Sequence, residues 1–437
     1  LDNTGQSRRP TSGCRAVPGV GESASTPPTL VLGGGASVGE MDDFSRLIPR
    51  MRPHTRSVFG EYSALAVQLG AVNLGQGFPD TDGPQLVKDV AIAAIAGGSA
   101  NQYPPRHGLP DLLEAVCEHQ LRFYGLRYDP ATEAVIGTGA SELISAAILA
   151  LADFGDEVIV PEPWFDVYGA GISLAGAVQV DVPLQRTTAG YRLDAPAIEA
   201  AITDRTRIIL LNHPHTPTGA VFDSEQLAEL ASIAQRHDLI VLSDEVYEHI
   251  VFPPARHVPM ATVPGMRERT VTFGSGGKTF SLTGWKVGWA TGPADLIAAV
   301  RVVRQHMSYV SSGPFQPAIA AGLRLGDEYF EGLAAQMDAG RQLLGDGLAR
   351  LGLDVVPTAG SYFLVTDATA LGWPDGAAFV DHIVHNAGVV AIPVERLSSG
   401  GAGVELVRWT FCKRPEVLQE ALRRLAATDL RGPVVKR

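Results

Sequence analysis

At 437 residues the chain exceeds one ordinary domain and suits two, or one large domain with an elaborated smaller one. With 45% apolar and 19% charged residues it can bury a sizeable core, and its net charge of −12, without any gathering of Lys or Arg, excludes a nucleic-acid partner. The longest apolar-rich stretch, residues 143–152, is about half of what a bilayer demands, which excludes a membrane span, and Cys14, Cys117 and Cys412 lie too far apart for a disulfide framework, which indicates a reducing, cytoplasmic setting.

Residues 1–40 are rich in Gly, Ser, Thr and Pro and have neither a helical nor a strand period. Burial cannot offset their ordering entropy, so a disordered extension is expected before a natural start near Met41. The Arg8-Arg9 pair invites an export reading, but no apolar h-region follows it. From Asp42 the pattern becomes regular. Apolar residues recur at three- and four-residue steps over 84–96 and 111–123, predicting two helices, with Pro84 suited to the first helical position. Short β-branched runs at 158–160, 178–182, 208–211, 240–243 and 270–273 then alternate with helical stretches at 141–152, 194–201 and 224–236. This alternation predicts an α/β fold whose mostly parallel sheet is covered by helices on both faces. Beyond about Pro314, long helical stretches lead to strand-like pieces at 361–366 and 405–411, which predicts a second, smaller α+β domain.

In open parallel sheets ligands bind beyond the carboxyl ends of the strands, and the candidate chemical residues fall there. Gly274-Ser275-Gly276-Gly277-Lys278-Thr279 ends like a nucleotide P-loop, but the required earlier glycine is Thr272, so that reading fails. A lysine delivered by small residues leaves room for a flat aromatic aldehyde, although a lysine in a Gly-rich turn is more often a plain surface loop. Asp244, directly after an apolar run, needs a cationic partner if buried, or it caps a helix. Tyr247, three residues on, reaches the same region. Phe165 beside Trp164 reads as core. His213 and His215 lack the carboxylate or Cys partner of a metal site, and no metal is expected.

Taken together, the motifs resemble the fold-type I pyridoxal 5′-phosphate (PLP) enzymes of the class I/II aminotransferases. They are Asn73-Leu74-Gly75-Gln76-Gly77-Phe78-Pro79-Asp80, Asn101-Gln102-Tyr103, Ser243-Asp244-Glu245-Val246-Tyr247, Gly284-Trp285-Lys286-Val287-Gly288-Trp289, Gly360-Ser361-Tyr362-Phe363 and Ala391-Ile392-Pro393-Val394. Within that family the chain is most similar to kynurenine/glutamine transaminases and actinobacterial N-succinyldiaminopimelate aminotransferases, from about residue 44 to 425. The resemblance implies that Lys278 is the Schiff-base lysine and the acid/base, that Asp244 pairs with the pyridine nitrogen, that Tyr247 bonds the phenolic oxygen and that Phe165 stacks on the ring. It puts the phosphate on Gly139-Ala140-Ser141, where a helix begins, completed by Ser275 and Lys286. It gives Arg408 and Gly77 the substrate α-carboxylate, and sends Tyr103 to the neighbouring subunit's phosphate, implying a homodimer with shared sites. It also implies an N-terminal arm with part of the small domain over 41–90, a large PLP-binding domain over 91–313 and a C-terminal small domain over 314–437.

One position departs from the family pattern. In Asn212-His213-Pro214-His215-Thr216-Pro217-Thr218-Gly219, Thr216 stands where the family has the asparagine that donates to the phenolic oxygen and approaches the substrate. The function expected is transamination between an α-amino acid and a 2-oxo acid, with N-succinyl-L,L-diaminopimelate and 2-oxoglutarate leading. Broad aromatic, methionine or glutamine transamination is the first alternative. A PLP lyase, replacement or oxidation enzyme on the same scaffold is the second, hinted at only by Thr216. A non-catalytic PLP-binding regulator is disfavoured, because no basic DNA-binding domain is attached.

Overall fold

The computed structural model describes residues 44–55 and 57–433, so the extension expected over 1–40 lies outside the described residues. A seven-stranded sheet organises the larger part of the chain, in the order Ala134–Gly137, Gly288–Thr291, Thr270–Ser275, Ile240–Asp244, Thr206–Asn212, Glu157–Glu162 and Val178–Pro183. The last five strands are mutually parallel, and only Gly288–Thr291 runs against its neighbours. The central strands are buried on both faces, so they read as continuous apolar runs without alternation.

The crossover helices start where polar side chains satisfy their first N–H groups. Asp223 accepts from Glu225 and Gln226 N–H to open Ser224–Arg236, which buries Leu227, Leu230, Ala231, Ile233 and Ala234. Asp194 does the same for Ala195–Ala200 through the N–H of Ala197. Pro84 sits one position earlier than expected, as the extended residue before the helix Gln85–Gly97. Helix Ala140–Leu151 buries Leu143, Ile144, Ala146, Ala147 and Ile148 and presses on the sheet beside Ala294–Met307.

The smaller sheet has four strands, in the order Asp354–Val355, Phe363–Asp367, Leu406–Thr410 and Ile392–Pro393. Beside it, Val72–Asn73 pairs in parallel with Val389–Val390, which ties the segment before residue 90 to the C-terminal part. No described helix is long and apolar enough to cross a membrane.

Candidate active site

Register places the site. Across three adjacent strands Asn212, Asp244 and Phe273 stand in one row, at the carboxyl ends of their strands. The loops that leave those ends carry Thr216, Tyr247 and Lys278, and the strand ending at Glu162 leads to Phe165. The antiparallel strand enters the sheet from that same edge, so Lys286 and Val287 just before it arrive there too. The resulting cavity has a volume of about 310 Å³ and is lined by Gly77, Gly139, Ala140, Ser141, Phe165, Thr216, Asp244, Tyr247, Ser275, Lys278, Lys286 and Arg408. Every residue expected at the site is therefore at one pocket except Tyr103. That ring is 81% exposed and stands edge-on to Tyr309 at 5.6 Å, outside the pocket of its own chain.

One end of the cavity is built for an anion. Helix Ala140–Leu151 begins at Gly139 (φ 79°) with no side chain capping it, so its first N–H groups face the cavity. Gly288 leaves that end open, since a Cβ there would come within 2.5 Å of the Ala140 nitrogen. The Lys286 amine lies beside the same end, 3.2 Å from where a Cβ on Gly139 would be, on a backbone held at φ 53°. A lysine cation and a positive helix end aimed at one spot repel each other unless an anion sits between them.

The other end holds the ionisable groups. Asp244 is buried, and burial pushes its carboxyl up to about 6 despite a hydrogen bond donated by the Tyr168 phenol at 2.5 Å. Within the chain its direct partner is this phenol, with Lys278 acting at longer range; the cationic partner expected from the sequence is the cofactor's ring nitrogen. The segment after Asp244 forms turns and not a helix, so its capping role shrinks to a long bond from the Val246 N–H at 3.4 Å. Lys278 donates to the Tyr362 hydroxyl at 2.6 Å, which in turn donates to the Gly77 carbonyl at 2.6 Å. Burial lowers the Lys278 amine to about 8 and raises the Tyr247 phenol.

Arg408 lies in the middle of strand Leu406–Thr410, buried between the Phe59 and Phe363 rings at 4.6 and 4.2 Å. One guanidinium nitrogen donates to the Gly75 carbonyl, while Nε has no hydrogen-bond partner among the described residues. A buried, incompletely satisfied guanidinium at the wall of a cavity suits a carboxylate. Thr216 lines the cavity, and its main-chain N–H donates to Asn212 Oδ1 at 2.6 Å while Asn212 Nδ2 donates to the Asp244 carbonyl at 2.9 Å. His213 and His215 are buried and serve the loop: Nδ1 of His213 accepts from the Phe222 N–H, and His215 bonds Thr218.

Tyr168 and Phe59 carry no signal in the sequence that separates them from core or surface, and Gln76 and Tyr362 were visible only as parts of motifs. The donor set fits PLP: an anion cradle for the phosphate, a carboxyl at ring depth for the pyridine nitrogen, and an amine of lowered pKa for the aldehyde.

The family model for aminotransferases of class I and II matches residues 70–425. A probable N-succinyldiaminopimelate aminotransferase of Mycobacterium tuberculosis is 46% identical over 388 residues, covering 87% of this chain and 98% of that protein. The solved structure of the M. tuberculosis N-succinyldiaminopimelate aminotransferase superposes with a TM-score of 0.85 over 87% of this chain and 99% of that one. A methionine aminotransferase of Escherichia coli is 36% identical, covering 84% of this chain and 95% of that protein.

Proposed function

The chain belongs to the class I and II aminotransferases and is a PLP-dependent enzyme, and on that premise we propose that it moves the amino group of N-succinyl-L,L-diaminopimelate to 2-oxoglutarate. The likeness to the M. tuberculosis enzyme over nearly its whole length supports this donor. The observation that carries the chemistry is the meeting of Lys278, Asp244 and Arg408 on one pocket whose far end is an anion cradle.

In this reading Gly139, Ala140, Ser141, Ser275 and Lys286 hold the phosphate, Asp244 the pyridine nitrogen, Tyr247 and Thr216 the phenolic-oxygen side, and Phe165 the ring face. When bound, PLP supplies an electron sink for the pair left on the substrate Cα. Arg408 fixes the α-carboxylate, with the Gly77 backbone beside it, and so orients the Cα–H bond. Lys278 would hold the cofactor through its Nζ, and that amine would also take the Cα proton; burial lowers it to about 8, so part of it is neutral at ordinary pH. Tyr362, bonded to both Lys278 and the Gly77 carbonyl, steadies the amine.

In this reading residues 91–313 are the cofactor-binding domain, and the described residues of the N-terminal arm before 91 and of 314–433 contribute the smaller one. The exposure of Tyr103, Tyr309 and Met307 supports a homodimer in which Tyr103 completes a neighbouring subunit's phosphate site. The cysteine spacing supports a cytoplasmic setting. A second reading, broad transamination of methionine and aromatic amino acids, is favoured by the Phe59, Phe165 and Phe363 walls. Steady-state kinetics over a donor panel decides between them. The proposal expects parallel double-reciprocal lines and the highest kcat/KM for N-succinyl-L,L-diaminopimelate. A higher value for methionine or phenylalanine would leave the second reading standing.

A further inference from the structure

We infer that Gln76 is a further substrate-binding residue, whose side-chain amide donates a hydrogen bond to the substrate α-carboxylate beside Arg408. The inference deepens the transamination reading and rests on it for the placement of that carboxylate.

Gln76 lines the reaction pocket together with Arg408 and Phe59. Its chain neighbours already serve that wall: the Gly75 carbonyl accepts from Arg408, and the Gly77 carbonyl accepts from Tyr362. The Gln76 side chain reaches Ser63 in helix Val58–Leu69, one turn beyond Phe59 and on the same helix face. The Phe59 ring in turn lies 4.6 Å from the Arg408 guanidinium. These two anchors keep the Gln76 amide on the Arg408 side of the pocket.

A relay of hydrogen bonds sets which end of the amide is free. Asn73 Oδ1 accepts from the Gly75 and Gln76 N–H groups at 2.9 and 3.0 Å, so its Nδ2 is the end that donates to Ser63 Oγ, at 3.4 Å. The Ser63 hydroxyl accepts there and gives its own proton to Gln76 Oε1 at 2.6 Å. The acceptor of Gln76 is thus occupied, and among the described residues no hydrogen bond engages its Nε2. The pocket wall next to Arg408 therefore carries a neutral donor held in one sense. A carboxylate gripped by the Arg408 fork keeps lone pairs for one more donor, and an amide N–H supplies it.

The test uses the PLP-loaded full chain and two unreactive acids of different tail, hexanoate and 3-phenylpropionate, with hexanol and 3-phenylpropanol as their counterparts without a carboxylate. Binding is measured by calorimetry. Gln76→Leu is expected to weaken both acids by about tenfold, the scale of one hydrogen bond to a charged group. Gln76→Glu should weaken them further, since it sets a carboxylate against a carboxylate. Ser63→Ala, which frees the amide to turn, should lose part of the affinity, and Ser63→Thr, which keeps the hydroxyl, should not. The alcohols should bind no differently to the variants than to the wild type. Acids bound unchanged by Gln76→Leu, a loss confined to one of the two acids, or an equal loss for the alcohols overturns the inference. Should Gln76→Leu fail to hold PLP, the two Ser63 variants decide by the same comparison, and acids bound unchanged by Ser63→Ala then overturn it. Failure of the transamination reading would show differently, as no amino acid converting the cofactor.

Discussion

The Tyr168 phenol donates to the Asp244 carboxylate at 2.5 Å, between two buried side chains that stand 76 positions apart in the chain. A neutral donor favours the ionised carboxylate, whereas burial disfavours it, and burial wins. The phenol therefore limits how far the Asp244 pKa climbs. Tyr168→Phe removes the donor, so Asp244 should pair less well with a cationic ring nitrogen. PLP binding is expected to weaken by about tenfold, the scale of one hydrogen bond to a charged group. Fluorescence titration of the apoprotein with PLP checks this, and an unchanged Kd would contradict it.

Lys278 captures PLP only as a neutral amine. Its pKa is lowered to about 8 by burial, so the rate of PLP capture by the apoprotein should rise through pH 8 and level off above it. An ordinary lysine would keep gaining until about pH 10.4. The same shift has a stability consequence in the apoprotein. The folded amine resists protonation more than the unfolded one, so the destabilisation is complete below about pH 8 and disappears as pH rises to the unfolded value. A capture rate whose midpoint lies near 10 would refute the buried-amine account. Lys278→Ala should lose the borohydride-fixable linkage altogether, as read by mass spectrometry.

Arg408 is held between two rings and bonded to the Gly75 carbonyl, so its planar fork is preorganised. Arg408→Lys keeps the charge and loses the fork. Amino-acid binding should weaken by about 2–5 kcal/mol while PLP stays bound. Equal loss with amines that lack a carboxylate would assign Arg408 another purpose.

Thr216 lines the pocket where the family has asparagine, and Asn212 cannot stand in for it. Both ends of the Asn212 side chain are engaged, by the Asp244 carbonyl and the Thr216 N–H. Thr216→Asn should restore a donor toward the phenolic oxygen of PLP. The pH midpoint of the bound-cofactor absorbance is then expected to fall by about one unit. Superimposable titrations of the two proteins would show that the departure has no chemical consequence.

What was legible in the sequence follows from where physics writes a local signal. The helix expected over 224–236 has those bounds in the structure, and the one expected over 194–201 spans Ala195–Ala200, with Asp194 capping it. Asp244 stood out because a charge beside an apolar run needs a reason, whereas Lys278 and Arg408 were assigned through the family motifs. Ala134–Gly137 and Gly288–Thr291 were not read as strands, because four residues buried on both faces show no alternation. Tyr168 and Phe59 were illegible for a different reason. Each is an aromatic residue in a helix, indistinguishable from core until the fold brings it against Asp244 or Arg408.

The central claim is amino transfer at the Lys278 pocket, and a single turnover tests it most directly. The PLP-loaded protein is mixed with N-succinyl-L,L-diaminopimelate without any 2-oxo acid, the cofactor is released by denaturation, and its mass is measured. The account expects pyridoxamine 5′-phosphate, in an amount equal to the donor converted and absent in Lys278→Ala. Cofactor recovered as unchanged PLP while an amino acid is consumed, with this donor and with methionine and phenylalanine alike, would contradict it.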